Sequence, residues 1–144
     1  MSALTRPIKF EDVDAAGIVF FARYVTYAHE AMEHFFSVLD GGYPRLIMER
    51  RIGLPAVHLD VSYRAPARYG DTLRIETTVD RVGNRSAVLR YRMILQGVER
   101  LAAEIAHTVV LSDLRTITSC DMPDDVRAQL LAHVTHDHDL DRDP

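Results

Sequence analysis

The chain has 144 residues and a single cysteine, carries a formal net charge of −4 at pH 7, and is 47% hydrophobic and 26% charged. This length suits one domain with a real core, and one cysteine excludes an intrachain disulfide. The acidic balance leaves no basic footprint for nucleic acid, and no run of about 18 apolar residues exists to span a membrane. Because the N-terminal residues contain no apolar signal core, we expect a cytoplasmic protein.

The first predicted element is a short strand over residues 4–11, where apolar and polar side chains alternate. Pro7 lacks an N–H, which suits the start of a strand or an edge position. A tight acidic turn over residues 12–17 follows, and apolar residues then recur at three- and four-residue spacings from about Arg23 to Leu39. This stripe predicts a long amphipathic helix, which we expect a curved sheet to wrap.

The middle of the chain reads as a short helix followed by four strands. A weak period predicts the helix over residues 43–52, and alternation of apolar and polar side chains predicts strands over residues 54–64, 72–82, 86–95 and 101–112. The connections between the strands are of hairpin length, which predicts an antiparallel sheet. The last strand is apolar on both faces, so we expect it to be central. One long helix against such a sheet is an α+β fold.

The C-terminal part of the chain divides into a helix and an acidic tail. Pro123 and the two aspartates after it suit the first turn of a helix over residues 122–133. We expect one domain over residues 1–134 and a flexible tail over residues 135–144. Alternating His and Asp in that tail can bind metal, but a solvated terminus is the commoner arrangement, and we assign no metal.

The turn before the long helix combines features that suit acyl chemistry. Asp12 and Asp14 lie there beside small residues. The first N–H groups of a helix lack intrahelical partners and carry partial positive charge, so they can hold the oxyanion formed when a thioester carbonyl is attacked. A nearby carboxylate can attack that carbon or take a proton from water. Aspartates in turns also commonly bond the local backbone, and that role is the one we expect of Asp12.

The segment DVDAAGIV at residues 12–19, with Tyr24 after it, resembles the active-site motif of the 4-hydroxybenzoyl-CoA thioesterase family. The order of elements matches over about residues 5–125. The resemblance implies the hotdog fold, in which a curved antiparallel sheet wraps one long helix. It also implies that Asp14 is the catalytic carboxylate, that Gly17 belongs to the catalytic motif, and that the backbone N–H of Phe21 polarises the thioester carbonyl. No cofactor is implied.

The motif indicates the reaction more clearly than it indicates the acyl group of the substrate. The Tol-Pal-associated branch of the family favours short-chain acyl-CoA and typically has a His where this chain has Phe21. Phe20, Phe21 and Tyr24 can line an apolar pocket, which favours an aromatic acyl-CoA such as 4-hydroxybenzoyl-CoA or benzoyl-CoA. The alternatives are a short-chain aliphatic thioesterase and a hotdog protein that binds acyl-CoA without hydrolysing it. A dehydratase on the same fold typically uses a His, and none stands in the motif.

The remaining parts of the site would come from arginines and from a second subunit. CoA carries phosphates, and three arginines near turn ends could bind them, although solvated arginines are common: Arg81, Arg85 and Arg115. An unpaired sheet edge needs covering. The resemblance implies that hotdog domains pair edge to edge into dimers, often tetramers, with the active site at the subunit interface. We therefore expect a homo-oligomer.

Overall fold

The computed structural model describes residues 2–135. Its helices and strands are, in chain order, β1 (Ser2–Pro7), α1 (Arg23–Phe35), α2 (Gly42–Met48), β2 (Ile52–Gly53), β3 (Ala56–Tyr63), β4 (Thr72–Val82), β5 (Ser86–Leu95), β6 (Arg100–Val110), β7 (Ser112–Asp113), β8 (Thr118–Ser119) and α3 (Asp124–Leu131). A short 3₁₀ turn precedes the loop that leads to α1, and a second one extends α1 at its C-terminal end: Phe10–Asp12 and Phe36–Val38.

The long strands form one antiparallel sheet in the order β1-β4-β5-β6-β3, and β2, β7 and β8 form a small second sheet. The central position predicted for the last long strand is confirmed, because β6 lies between β5 and β3. The expectation that hairpin connections join all four strands in sequence is wrong at β3. That strand pairs with β6 and not with β4, because residues 64–71 carry the chain across the sheet.

Helix α1 packs one aromatic and apolar stripe against a face of the large sheet. Its buried side chains are those of Tyr24, Tyr27, Ala28, Ala31, Met32 and Phe35. They meet the inward side chains of the three middle strands, which include Ile75, Leu89, Tyr91, Met93 and Ile105, each fully buried. Burial of one large apolar side chain contributes about 1.5–3 kcal/mol. The helix is therefore held mainly by tertiary packing, as expected for 13 residues.

Strand β3 is one of the two edge strands of the large sheet, and β1 is the other. Helix α1 contacts β1 and β4 more closely than β6, so the sheet face near β3 is not covered within one chain. Val57, Leu59 and Tyr63 are 62%, 38% and 49% exposed on this strand. The predicted alternation of buried and exposed side chains is absent here, because residues 56–60 are all exposed and only Val61 and Ser62 are half-buried. Such an edge is one that proteins ordinarily cover.

The C-terminal helix α3 packs beside the end of α1 and against β4, where Gln129 Nε2 donates to the Phe35 carbonyl at 2.8 Å. The Thr135 N–H donates to the Val79 carbonyl at 3.1 Å, and Val134 pairs with Val79 as a bridge. Within residues 2–135, no helix combines the length and the apolar character needed to cross a bilayer. The flexible tail, to which no metal is assigned, is predicted over residues 135–144, and all of these except Thr135 lie outside the described residues.

Candidate active site

A narrow turn presents Asp14 at its tip. Val13 and Val19 pair as an antiparallel bridge, and the Asp14 N–H donates to the Ile18 carbonyl at 2.9 Å. Gly17 has a φ of +78°, a conformation that side chains disfavour, and its N–H donates to the Asp14 carbonyl at 3.0 Å. The constraint at Gly17 is its backbone conformation and not lack of space, because a Cβ there would meet no atom within 4 Å.

The Asp14 carboxylate is exposed, and only one of its two oxygens accepts a hydrogen bond within residues 2–135. Its Oδ1 accepts a hydrogen bond from the Ala16 N–H at 2.8 Å, the local bond typical of a turn aspartate. Its Oδ2 has no hydrogen bond or ion pair to any residue between 2 and 135. One oxygen thus orients the group while the other is available for chemistry.

The start of α1 is open to an anion. Ala22 occupies the N-cap position, no side chain caps the helix, and its first turn contains no acidic residue. Among the described residues, the N–H groups of Phe21 and Ala22 have no acceptor. Alanine at this position is less stable than Ser, Thr, Asp or Asn by about 1 kcal/mol. A capping side chain would accept from the second or third N–H of the helix, so the unpaired N–H groups of Phe21 and Ala22 are a separate feature of the segment before it. These two donors lie at the positive end of the helix, an arrangement suited to an oxyanion.

A groove of about 350 Å³ opens beside this helix start. Its walls come from the turn, from α1 and from the end of β3, and include Ile18, Phe21, Tyr24, Tyr63, Arg64 and Pro66. The Tyr63 hydroxyl donates to the Phe21 carbonyl at 2.9 Å, and the Tyr63 ring meets the Tyr24 ring edge to face at 5.4 Å. Burial raises the pKa of the Tyr24 hydroxyl. The groove is therefore mainly apolar, with three aromatic rings among its lining residues and Arg64 as a cation in the wall.

The predicted site residues divide between the groove and its surroundings. Phe21 and Tyr24 line the groove, and Tyr24 does so while only 4% exposed. Phe20 is outside the lining, and its ring contacts that of Phe21 at a tilt of 51°, with ring centroids 4.7 Å apart. Asp14 is also outside the lining of the single chain, at the tip of the turn whose Ile18 forms part of the wall.

None of the three arginines predicted to bind phosphate lines the groove. Arg81 is exposed on β4. Arg85 forms an ion pair with Asp121 at 3.0 Å, and Arg115 lies 3.9 Å from an Asp113 oxygen. The arginine that does line the groove is Arg64, which sequence reasoning missed. It is the last residue of the strand predicted over residues 54–64 and directly follows the observed β3, and nothing in the alternation distinguishes it from a solvated strand end.

Asp12 has the local backbone bond predicted for it, but in a buried setting that the sequence does not reveal. The side chain is 0% exposed. Its Oδ2 accepts hydrogen bonds from the Lys9 N–H at 2.8 Å and from Arg6 Nη1 at 3.2 Å. Its carbonyl accepts one from the Phe20 N–H at 2.9 Å. Asp12 therefore joins β1, the turn and the residue before Phe21.

Two buried polar atoms next to this contact have no hydrogen-bond partner in the described chain: Asp12 Oδ1 and the Tyr27 hydroxyl oxygen. The guanidinium of Arg6 lies over the Tyr27 ring, 4.9 Å from its centroid. Burial first, and then the negative charge of Asp12, raise the pKa of the Tyr27 hydroxyl well above its usual range. Tyr27 is thus neutral at physiological pH, and its hydroxyl lies beside the Asp12 carboxylate without a hydrogen bond of ordinary geometry to it.

Replacement of Tyr27 by Phe tests this description of its hydroxyl. Removing a buried hydroxyl that has no partner should leave the free energy of unfolding unchanged or raise it by up to about 1 kcal/mol. The matched control is Tyr91→Phe, because the Tyr91 hydroxyl is equally buried but lies 3.0 Å from His107 Nδ1. That control should lose about 1 kcal/mol in urea denaturation. Equal losses in both variants would contradict the assignment.

Comparison with known proteins adds to this geometry. A family model described as the thioesterase-like superfamily matches residues 8–130. A 1,4-dihydroxy-2-naphthoyl-CoA hydrolase from Synechococcus sp. (strain CC9605) is 31% identical over 131 residues, spanning 85% of each chain. The protein of the same name from Synechococcus elongatus is 32% identical over 111 residues, covering 76% of this chain and 82% of the relative.

Solved structures match the fold over nearly the whole chain. A gentisyl-coenzyme A thioesterase superposes with a TM-score of 0.79 at 30% identity, covering 89% of this chain and 98% of that one. A 1,4-dihydroxy-2-naphthoyl-CoA thioesterase from Synechocystis superposes with a TM-score of 0.80 at 23% identity, covering 90% and 94%. The predicted α+β architecture of the hotdog type is therefore confirmed.

Proposed function

Because the chain belongs to the thioesterase-like superfamily, we propose that it hydrolyses an aromatic acyl-CoA to the free acid and CoA. Membership of the family confirms the class of enzyme, a thioester hydrolase. The observation that carries the proposal is the uncapped start of α1, where the Phe21 N–H faces no acceptor and adjoins an aromatic groove. The relatives compared above are named for naphthoyl and gentisyl thioesters and not for 4-hydroxybenzoyl-CoA.

The chemistry that we propose uses two groups of the site. The thioester carbonyl lies with its oxygen towards the Phe21 N–H, whose positive field polarises it. Asp14 either attacks the carbonyl carbon to form an anhydride, which water then opens, or takes a proton from an attacking water. The tetrahedral oxyanion collapses and expels the CoA thiolate, which takes up a proton. A single turnover in oxygen-18 water separates the two routes: the first leaves the label in the Asp14 carboxylate when water opens the anhydride at that carbon, whereas the second places it only in the product acid.

A second subunit completes this proposal. Asp14 stands at the tip of an exposed turn, and a site that polarises a carbonyl works best where water is excluded. The uncovered face of β3 adjoins the groove through Tyr63, and its Val57 and Leu59 are exposed. We infer a homodimer paired through β3, in which the partner covers the groove and the turn. Pairing along this edge would also satisfy backbone groups that otherwise face water.

Asp14→Asn tests the catalytic carboxylate. The amide can keep the bond from the Ala16 N–H but is a poor nucleophile and a poor base, so kcat should fall by about 100-fold or more. Thiol release from an aromatic acyl-CoA is the assay, with circular dichroism to verify folding. Glu11→Gln is the matched control, because it removes another exposed acid of the same loop. Near-normal turnover by Asp14→Asn, with folding intact, would refute the proposal.

A panel of thioesters tests the acyl group. Aromatic substrates should exceed acetyl-, butyryl- and hexanoyl-CoA in kcat/KM by about tenfold or more, because flat rings pack on the aromatic walls of the groove. The aromatic set is benzoyl, 4-hydroxybenzoyl, gentisyl and 1,4-dihydroxy-2-naphthoyl. Tyr63→Leu should reduce the ratio of kcat/KM between aromatic and aliphatic substrates, because it removes one aromatic wall of the groove. A clear preference for aliphatic chains would contradict this part of the proposal, and tight binding without thiol release would favour a non-catalytic role.

Leu59→Lys tests the pairing of subunits. A charge on the edge strand should shift the mass measured by sedimentation towards the monomer, with activity falling in parallel as the protein is diluted. Val98→Lys is the control, since Val98 is 74% exposed in the turn between β5 and β6. The proposal is wrong if the unmodified protein sediments as a monomer at assay concentration and turns over fully.

A further inference from the structure

Asp12 is the one charged side chain that the structure buries between residues 2 and 135. A buried carboxylate is unfavourable unless it is paired and hydrogen bonded. Here the Lys9 N–H and the Arg6 guanidinium satisfy one of its oxygens, while the other lies 3.8 Å from Arg23 Nε without a hydrogen bond. Such incompletely satisfied groups are found more often at functional sites than elsewhere. The question is what this carboxylate holds in place.

Arg6 ties Asp12 to both the sheet and the helix. It extends from β1, and its Nε donates to Glu30 Oε2 of α1 at 2.9 Å while Nη1 donates to Asp12. Nη1 also donates to the Pro7 carbonyl at 2.6 Å. A guanidinium is planar and offers its donors in a fixed fork, so the positions of its partners are coupled. Asp12 is thus fixed relative to α1 through a single rigid group.

The backbone of Asp12 carries this constraint into the site. Its carbonyl accepts from the Phe20 N–H at 2.9 Å. The N–H that follows that of Phe20 in the chain is the N–H of Phe21, the proposed oxyanion donor. Asp14 lies two residues after Asp12, so both groups of the site are close to Asp12 along the backbone. A displacement of Asp12 therefore moves the oxyanion donor and the carboxylate together. Displacements of about 1 Å in such groups can reduce rates by about 100-fold.

We propose that Asp12 is a positioning residue, whose buried carboxylate holds the Phe20–Phe21 peptide and the Asp14 turn in register with each other. It touches no substrate itself and acts through the amide of Phe21. This inference rests on the function proposed above, because it assigns Asp12 a part in aiming the donor that polarises the thioester. The rival explanation is that Asp12 only stabilises the fold.

Glu30 provides the matched comparison between these explanations. Asp12→Asn and Glu30→Gln each remove one carboxylate from the same Arg6 guanidinium. Both changes are close to isosteric, and both should lower the midpoint of thermal unfolding. Glu30 lies within α1, and its side chain bonds only Arg6 among the described residues. Only the Asp12 change acts on the segment that carries the site.

The first readout is the separation of kcat from KM. Asp12→Asn should lower kcat by about 10- to 100-fold with KM within about twofold, because the oxyanion donor is misaligned while the groove is unchanged. Glu30→Gln should keep both constants within about twofold of the unmodified protein. Equal effects on kcat in the two variants, in proportion to their loss of stability, would overturn the proposal.

The second readout reports the donor directly. A non-hydrolysable phenacyl thioether of CoA, with an isotope-labelled carbonyl, binds without reacting, and hydrogen bonding lowers the frequency of its carbonyl stretch. Asp12→Asn should return this frequency towards its value in water, whereas Glu30→Gln should retain the bound value. If Asp12→Asn does not fold, Arg6→Lys replaces it, since an ammonium cannot reproduce the fork. An unchanged frequency and kcat in the folded variant would refute the proposal.

These outcomes are distinct from failure of the proposed function. If the unmodified protein hydrolyses no thioester, the function is wrong, and Asp14→Asn is then uninformative as well. If the unmodified protein is active and Asp14→Asn is inactive, the function stands. An Asp12→Asn variant with full kcat and an unshifted carbonyl then removes the positioning role alone.

Discussion

The contact between the aromatic stripe of α1 and the large sheet is the constraint on which the site depends. A helix of this length is marginal in isolation, so the buried rings of Tyr24, Tyr27 and Phe35 fix both its presence and its direction. Once the packing determines where the helix lies, it also determines where the helix begins. That point falls beside the end of β3, where the groove opens. The unpaired amides of the site are a consequence of packing elsewhere in the helix.

Asp12 and Asp14 are separated by one residue but have different surroundings. We relate their different proposed roles to this difference. Asp12 ends a 3₁₀ turn and points into the protein, where Arg6 and a backbone amide surround it. Asp14 follows the bridge between Val13 and Val19 and points outward, with one oxygen free. In the proposed mechanism the buried Asp12 gives rigidity, and the exposed Asp14 supplies the reactive carboxylate. Asp12 and Asp14 could not exchange these roles, because burial and hydrogen bonding control both the rigidity and the reactivity of a carboxylate.

Periodic features were predictable from sequence, and contacts between distant residues were not. The bounds of β4 and β5 agree with the alternation of their side chains, and α1 begins at Arg23 as the apolar stripe predicts. Alternation says which face a side chain occupies but not which strand lies alongside, so the pairing of β3 with β6 was missed. The pairs Arg6–Asp12 and Arg85–Asp121 join residues through the fold. No spacing in the chain indicates them, nor that Arg64 would border the groove.

The missing cap of α1 has a consequence for the end of the reaction. The product acid carries a carboxylate, and an anion seated on the free amides would serve the helix as the cap that Ala22 does not provide. Product would then stabilise the folded protein by mass action. The attraction between the free amides and the product carboxylate also slows release of the product. Amides that polarise the thioester more strongly would therefore also cause stronger product inhibition.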